Sequence, residues 1–193
     1  MKSITSATLW RNGALKDKSS SAIARKYVSS WLLRIAPSRY VRVSLLRLFG
    51  AKVDKTVNFG PEVFVHVETR ESEFSNLEIG ENSYVGPRVF IDLSGEVKIG
   101  RDVTVSMNSC ILSHQDPGES KRRPLSRAYP KVISPVRICE GAYVGANSVI
   151  MPGVTVGRKS VIGAGAVVLH DIPDLVLAAG VPAKVLKTIG DLE

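Results

Sequence analysis

The stretch ICEGAYVGANSVIMPGVTVGRKSVIGAGAVV, residues 138–168, carries an aliphatic residue at every sixth position. Those aliphatic residues are Ile138, Val144, Ile150, Val156, Ile162 and Val168. A period of six fits neither an α-helix nor a two-sided strand, but it fits a short strand and a tight corner repeated around a prism. The stretch therefore predicts an all-β solenoid in which each aliphatic side chain points inward.

The same six-residue template returns earlier in the chain, where it also pairs an aliphatic residue with a following glycine. The upstream matches are Ile79-Gly80, Val85-Gly86, Ile91, Ile99-Gly100, Val105 and Ile111, with a weaker echo at Val53, Phe59-Gly60 and Val65. We expect glycine to recur because a corner needs backbone angles that a side chain penalises. The solenoid coils should stack in parallel, so that backbone groups pair between turns.

The repeat is interrupted between Ile111 and Ile138 by a proline-rich, basic stretch. It contains four prolines and the cations Lys121, Arg122, Arg123, Arg127 and Lys131. A loop of this length inside a regular fold is usually functional or disordered. We predict an extruded loop over residues 115–136 that acts as a solvated lid, or contacts an acidic acceptor or cofactor phosphates.

Composition limits the class of protein. The chain has 193 residues and a net charge of +8, and residues 1–50 hold ten Lys and Arg against the single acid Asp17. Two cysteines give neither a disulfide framework nor metal-ligand spacing, which favours a reducing compartment. The polar N-terminus does not resemble a signal peptide, and no apolar run is long enough to span a membrane. The prediction is a cytoplasmic protein, with peripheral contact at the inner face of the membrane left open.

The basic N-terminal segment, residues 1–50, is predicted to be helical. Apolar residues Ile23, Tyr27, Val28, Trp31, Leu32 and Ile35 share one helical face. Pro37 should end this helix, and a second should begin after Ser38 and end before Gly50. Two roles are open: the helices cap the end of the solenoid, or they form an interfacial pair that contacts an anionic bilayer. A nucleic-acid role is disfavoured because no recognisable module accompanies the charge.

The repeat resembles the hexapeptide-repeat acyltransferases over roughly residues 45–190. The resemblance implies a left-handed parallel β-helix, with an acyltransferase domain over residues 51–183 and a C-terminal tail over 184–193. It also implies a homotrimer with its active site in the cleft between neighbouring solenoids.

The resemblance assigns a catalytic histidine to the place where a coil opens into the interruption. The matching segment is ILSHQDP, so His114 carries the match. A sugar hydroxyl needs a base when it attacks a thioester, and histidine suits that task near neutral pH. Asp92 lies where many members have Asn, and it either assists His114 or caps a solenoid corner. His66 and His170 are interpreted as surface residues.

The C-terminal coils, including AGVPAKVLK, resemble the acetyl-CoA-binding part of the family. The matched positions are Ala146, Ala164, Gly180, Lys184 and Lys187. Small residues would let the pantetheine arm follow the wall, and lysines would meet the phosphates. The alternative is that corners simply require small residues and that the lysines are solvated.

The resemblance implies an acetyl-CoA-dependent O-acetyltransferase acting on a sugar of a cell-surface polysaccharide or its lipid-linked precursor. An acetyltransferase of a small hydroxyl compound, such as an antibiotic or a free sugar, and a non-catalytic scaffold remain alternatives. No metal is expected, because the zinc-dependent carbonic anhydrases with this fold need three histidine ligands and position 119 is Glu119.

Overall fold

The computed structural model describes residues 28–67, 73–116, 125 and 128–190. The cations at 121–123 and 127 of the predicted loop, the start of the predicted N-terminal helix and residues 1–27 as a whole lie outside this part.

Short strands recur along the chain and pair in parallel to form three sheets, one for each side of a prism. The first sheet contains β1 (Lys52–Val53), β4 (Leu77–Ile79), β7 (Val97–Ile99), β12 (Val136–Ile138) and β15 (Thr155–Val156). The second contains β2 (Asn58–Phe59), β5 (Tyr84–Val85), β8 (Thr104–Val105), β13 (Tyr143–Val144), β16 (Val161–Ile162), β18 (Val176–Ala179) and the antiparallel edge strand β19 (Lys184–Thr188). The third contains β3 (Phe64–His66), β6 (Phe90–Asp92), β9 (Cys110–Ile111), β14 (Val149–Ile150) and β17 (Val167–Val168).

The register of these strands follows the hexad. Val144 pairs with Ile162 in the second sheet and Ile150 with Val168 in the third, so each step to the next coil takes 18 residues here. The six aliphatic residues of the opening stretch are all buried. The predicted repeat architecture is thus present, and three parallel sheets visited in turn fit a left-handed parallel β-helix.

The glycines of the repeat have a different cause from the one predicted. Neither Gly145 nor Gly157 has a positive φ. A Cβ on Gly145 would instead lie 2.6 Å from the backbone nitrogen of Ala164 in the next coil. The left-handed corner positions are filled largely by other residues, such as Asn147 with φ 59°. The recurring glycines therefore allow two coils to approach closely.

Two helices cover the start of the prism: α1, helical at residues 28–35, and α2 (Arg39–Leu48). The Ser38 hydroxyl caps α2 by accepting from the Val41 N–H, as predicted. Arg42 is buried and donates hydrogen bonds of 2.8 Å to the carbonyls of Phe59 and Ala36. Burial lowers the pKa of Arg42, and both donated bonds reward its position under the cap.

The predicted apolar face of α1 is not the face that packs on the solenoid. Leu33 is buried, whereas Val28, Trp31 and Ile35 are each more than half exposed. Arg34 places its guanidinium 5.9 Å from the centroid of the Phe64 ring, so α1 runs beside the third sheet. The described helices therefore cap the solenoid with one face and present an apolar ridge on another.

Residues 184–188 are not a tail. They form β19, which pairs antiparallel with β18, and Lys184 lies opposite Ala179. The predicted tail beyond residue 183 thus begins as an edge strand of the second sheet.

Candidate active site

His114 lies just past the strand β9, where the third coil opens into the interruption. There the chain forms β10 (His114–Gln115), which pairs antiparallel with β11 (Val132–Ile133). The side chain of His114 is 23% exposed. The strand ladder therefore delivers an accessible imidazole to the edge of the prism wall, at the position predicted from the sequence.

Asp92 ends β6, one coil below, and its carboxylate contacts His114 twice. Oδ2 lies 2.7 Å from Nδ1 of His114 and accepts a 2.8 Å hydrogen bond from the backbone N–H of His114. The Asp92 side chain has no exposed surface. A buried carboxylate must be compensated by hydrogen bonds, and here part of that compensation comes from the histidine.

The serines around Asp92 complete its hydrogen bonding. The backbone N–H and hydroxyl of Ser113 donate to Oδ2 at 2.9 and 2.8 Å. The Ser94 hydroxyl donates to Oδ1 at 2.9 Å. Burial alone raises the pKa of Asp92, but the hydrogen bonds from His114, Ser113 and Ser94 outweigh it and leave the pKa below its ordinary value.

This carboxylate fixes the tautomer of His114. Because ionised Asp92 can only accept hydrogen bonds, Nδ1 of the neutral imidazole carries the proton that points at Oδ2. Nε2, across the ring, is then the basic nitrogen. The structure thus joins the two residues predicted as catalytic into one buried-to-exposed pair, and the corner-cap alternative for Asp92 does not account for its contact with Nδ1.

The site also contains His66, which the sequence interpretation assigned to the surface. The His66 ring stacks on the His114 ring, with 5.9 Å between centroids and 12° between planes. His66 ends β3 and pairs in register with Asp92 in β6. The signal was present in the repeat, because aligning Val65 with Ile91 places His66 beside Asp92. His170, by contrast, is exposed as expected.

The residues assigned to acetyl-CoA lie at the other end of the third-sheet strands. Ala146 and Ala164 occupy the corners between the second and third sheets, in adjacent coils joined by the 2.8 Å bond from the Gly165 N–H to the Ala146 carbonyl. Gly180 continues this row, since its carbonyl accepts from the Val167 N–H at 3.0 Å. Lys184 and Lys187 are exposed on β19.

The described residues carry neither of two other features. Within 28–67, 73–116 and 128–190, no group of three or more His, Cys, Asp or Glu side chains is arranged to hold a metal ion. In the same part of the chain, no helix is both long and apolar enough to cross a bilayer.

Known proteins with this combination of a six-residue repeat and parallel coils are transferases. Residues 135–170 match the model described as bacterial transferase hexapeptide (six repeats), and residues 77–113 match the hexapeptide repeat of succinyl-transferase. The galactoside O-acetyltransferase of Escherichia coli (strain K12) is 34% identical over 144 residues, which cover 65% of this chain and 71% of that protein.

Two further proteins extend the similarity. "Putative colanic acid biosynthesis acetyltransferase WcaF" of Escherichia coli (strain K12) is 31% identical over 148 residues, covering 76% of this chain and 74% of that protein. A crystal structure of a hexapeptide-repeat acetyltransferase from Vibrio cholerae O1 biovar eltor, complexed with acetyl coenzyme A, superposes with a TM-score of 0.74 at 25% identity, covering 91% of this chain and 93% of that one. This chain belongs to the hexapeptide-repeat family, among its sugar O-acetyltransferases, which confirms the resemblance.

Proposed function

We propose that the protein transfers an acetyl group from acetyl-CoA to a sugar hydroxyl of a cell-surface polysaccharide or its lipid-linked precursor, with His114 as general base. The observation that carries the proposal is the 2.7 Å contact between Nδ1 of His114 and fully buried Asp92. Support for the donor comes from the acetyl-CoA complex of the Vibrio cholerae relative. Support for the acceptor comes from relatives named for galactoside acetylation and colanic acid biosynthesis.

The reaction needs one proton to move twice. Nε2 of His114 takes the proton of the acceptor hydroxyl as its oxygen attacks the thioester carbonyl. The tetrahedral intermediate then collapses, the carbon–sulfur bond breaks, and the imidazolium returns the proton to the thiolate of coenzyme A. Asp92 stabilises the imidazolium between these steps through the bond to Nδ1. No covalent bond to the enzyme is required.

The donor would lie along the row of Ala146, Ala164 and Gly180. Their missing or small side chains leave backbone amides accessible to the pantetheine arm. Lys184 and Lys187 extend this row with two exposed cations suited to phosphates. These assignments rest on the family motif together with the row's geometry.

A homotrimer follows from the separation of these parts. Ala146 and Ala164 precede the third-sheet strands, whereas His114 follows one, so the donor row and the base lie at opposite ends of the same sheet. A neighbouring solenoid that brings its donor row to His114 would complete the site. We therefore infer that the active site lies in the cleft between two copies of the chain.

The proposal places the protein in the cytoplasm, with contact to an anionic membrane surface through its N-terminal segment. Val28, Trp31 and Ile35 form an exposed ridge on α1, and basic residues dominate positions 1–50. Aromatic and aliphatic side chains beside Lys and Arg are the composition of interfacial helices. Flotation with anionic vesicles should carry the protein upward, and Trp31→Ser should weaken it. No flotation with anionic vesicles would remove this part of the proposal.

The deciding experiment measures thioester cleavage of acetyl-CoA with a panel of acceptors: galactosides, polysaccharide repeat units, lipid-linked sugars and antibiotics bearing hydroxyls. We expect turnover with a saccharide, and we expect His114→Ala to abolish it while acetyl-CoA binding survives. Turnover only with an antibiotic or free sugar would favour the small-acceptor alternative. Failure to bind acetyl-CoA would favour the non-catalytic scaffold.

A further inference from the structure

The stacking of His66 on His114 has no part in the proton transfers described above. It is nonetheless a closely defined contact, because the two rings are 12° from parallel with their centroids 5.9 Å apart. The same ring of His66 lies 5.9 Å from the centroid of Phe90. His66 therefore packs against a hydrophobic ring of the wall and against the proposed base at once.

The strand register holds His66 in place from below. His66 pairs with Asp92 across β3 and β6, and its carbonyl accepts a 3.0 Å hydrogen bond from the Leu93 N–H. The adjacent pair of Phe64 and Phe90 stacks with 5.4 Å between centroids and 12° between planes. The backbone of His66 is thus fixed by the ladder and its side chain by a row of flat rings.

The proposed base needs such support because a single hydrogen bond leaves the imidazole free to pivot. The bond from Nδ1 to Asp92 sets one atom of the ring. A flat neighbour against the ring face restricts rotation about the side-chain bonds, which the hydrogen bond alone does not. Small losses of such alignment reduce turnover strongly.

We propose that His66 is a positioning residue: its ring covers one face of His114 and holds the imidazole with Nδ1 toward Asp92 and Nε2 toward the acceptor. The inference rests on the proposed role of His114 as base. It assigns His66 no proton transfer and no contact with the reacting atoms.

Two substitutions separate a flat ring from a proton carrier. His66→Leu keeps much of the volume but removes the ring, and we expect kcat to fall about 10- to 100-fold with KM for acetyl-CoA unchanged. His66→Phe restores a flat ring without a nitrogen, and we expect it to recover most of the lost kcat. An equal loss in both variants would show that a nitrogen of His66 is needed, and would overturn the positioning role, as would full activity of His66→Leu.

The matched control is Phe64→Ala, which removes another ring from the same row but not the one on His114. We expect it to lower the melting temperature at least as much as His66→Leu while kcat stays within about threefold, since the geometry at the base is kept. A loss of kcat in Phe64→Ala equal to that in His66→Leu would mean that general loosening of the wall explains both, and would overturn the proposal.

A spectroscopic readout keeps this test independent of turnover. With ¹⁵N-labelled histidine, His114 should show the Nδ1-protonated tautomer in the unchanged protein, because Asp92 accepts that proton. In His66→Leu, part of the signal should move to the Nε2-protonated form that a released imidazole adopts. An unchanged tautomer ratio would contradict the proposal. Absence of turnover in the unchanged protein would count instead against the proposed function.

Discussion

A carboxylate stands at Asp92 where many relatives have an amide, and this single atom change decides how His114 is used. Asn at that position would still accept the backbone N–H of His114. It would not provide a negative charge to stabilise the imidazolium formed when the acceptor loses its proton. The dyad thus makes His114 a better base than a hydrogen-bonded histidine alone.

Asp92→Asn tests this directly. We expect kcat to fall about 10- to 100-fold, because the charge opposite Nδ1 is lost, while KM for acetyl-CoA stays the same. Steady-state kinetics at saturating donor measure both quantities. Ser94→Ala is the control, since it removes a bond to Oδ1 without changing the charge next to His114. Equal activity of Asp92→Asn and the unchanged enzyme would contradict the dyad.

Acid stability should carry the signature of the same residue. The pKa of folded Asp92 lies below its ordinary value, so ionised Asp92 stabilises the fold above about pH 4, and this contribution is lost as the pH falls through the lowered pKa. The difference in melting temperature between the unchanged protein and Asp92→Asn should be largest near neutral pH and narrow in acid. Thermal unfolding across that range measures it, and a difference independent of pH would refute the assignment.

At the scale of elements, the coils depend on how closely their backbones approach. Gly145 lies in β13's corner, where a Cβ would meet both the nitrogen of Ala164 at 2.6 Å and the carbonyl oxygen of Ile162 at 2.6 Å. Both contacts are with the backbone of the next coil, which cannot move without disturbing its own hydrogen bonds.

Gly145→Ala should therefore destabilise the fold by about 1–3 kcal/mol, as overpacking of a close contact does. Gly190→Ala is the matched control, because a Cβ there has no atom within 4 Å. Denaturant unfolding of the two variants gives the comparison. If Gly145→Ala unfolds at the same midpoint as Gly190→Ala, close coil contact is not the reason for the glycine.

The strand positions were predictable from the sequence, because a buried aliphatic side chain at every sixth residue leaves little choice of register. The reason for the glycines was not, since approach between coils depends on residues 18 positions away. His66 was missed because its contact with His114 crosses two coils and requires the weakest repeat to be aligned. The orientation of α1 failed because both of its faces carry apolar residues, and only packing shows that Leu33 faces inward.

For the whole molecule, the arrangement of His114 and the donor row predicts that two inactive variants can restore each other. Ala164→Phe should block the donor row, and His114→Ala removes the base. In co-expressed mixed trimers, about a quarter of clefts would join an intact His114 from one chain to an intact row from its neighbour. Acetyl transfer by the mixture measures this, with each variant expressed alone as the control. A mixture as inactive as either variant alone would place each site within one chain.

The coils also make the protein a molecular ruler. His66, Asp92 and His114 stand on successive turns, so their spacing along the axis is set by a count of turns, each about 4.8 Å high. Inserting one 18-residue turn between Asp92 and His114 would leave every inward and outward position in phase and yet move the carboxylate out of reach of the imidazole. Length variation in such a chain is therefore quantised: whole turns preserve its folding, and the turn number between these residues decides its chemistry.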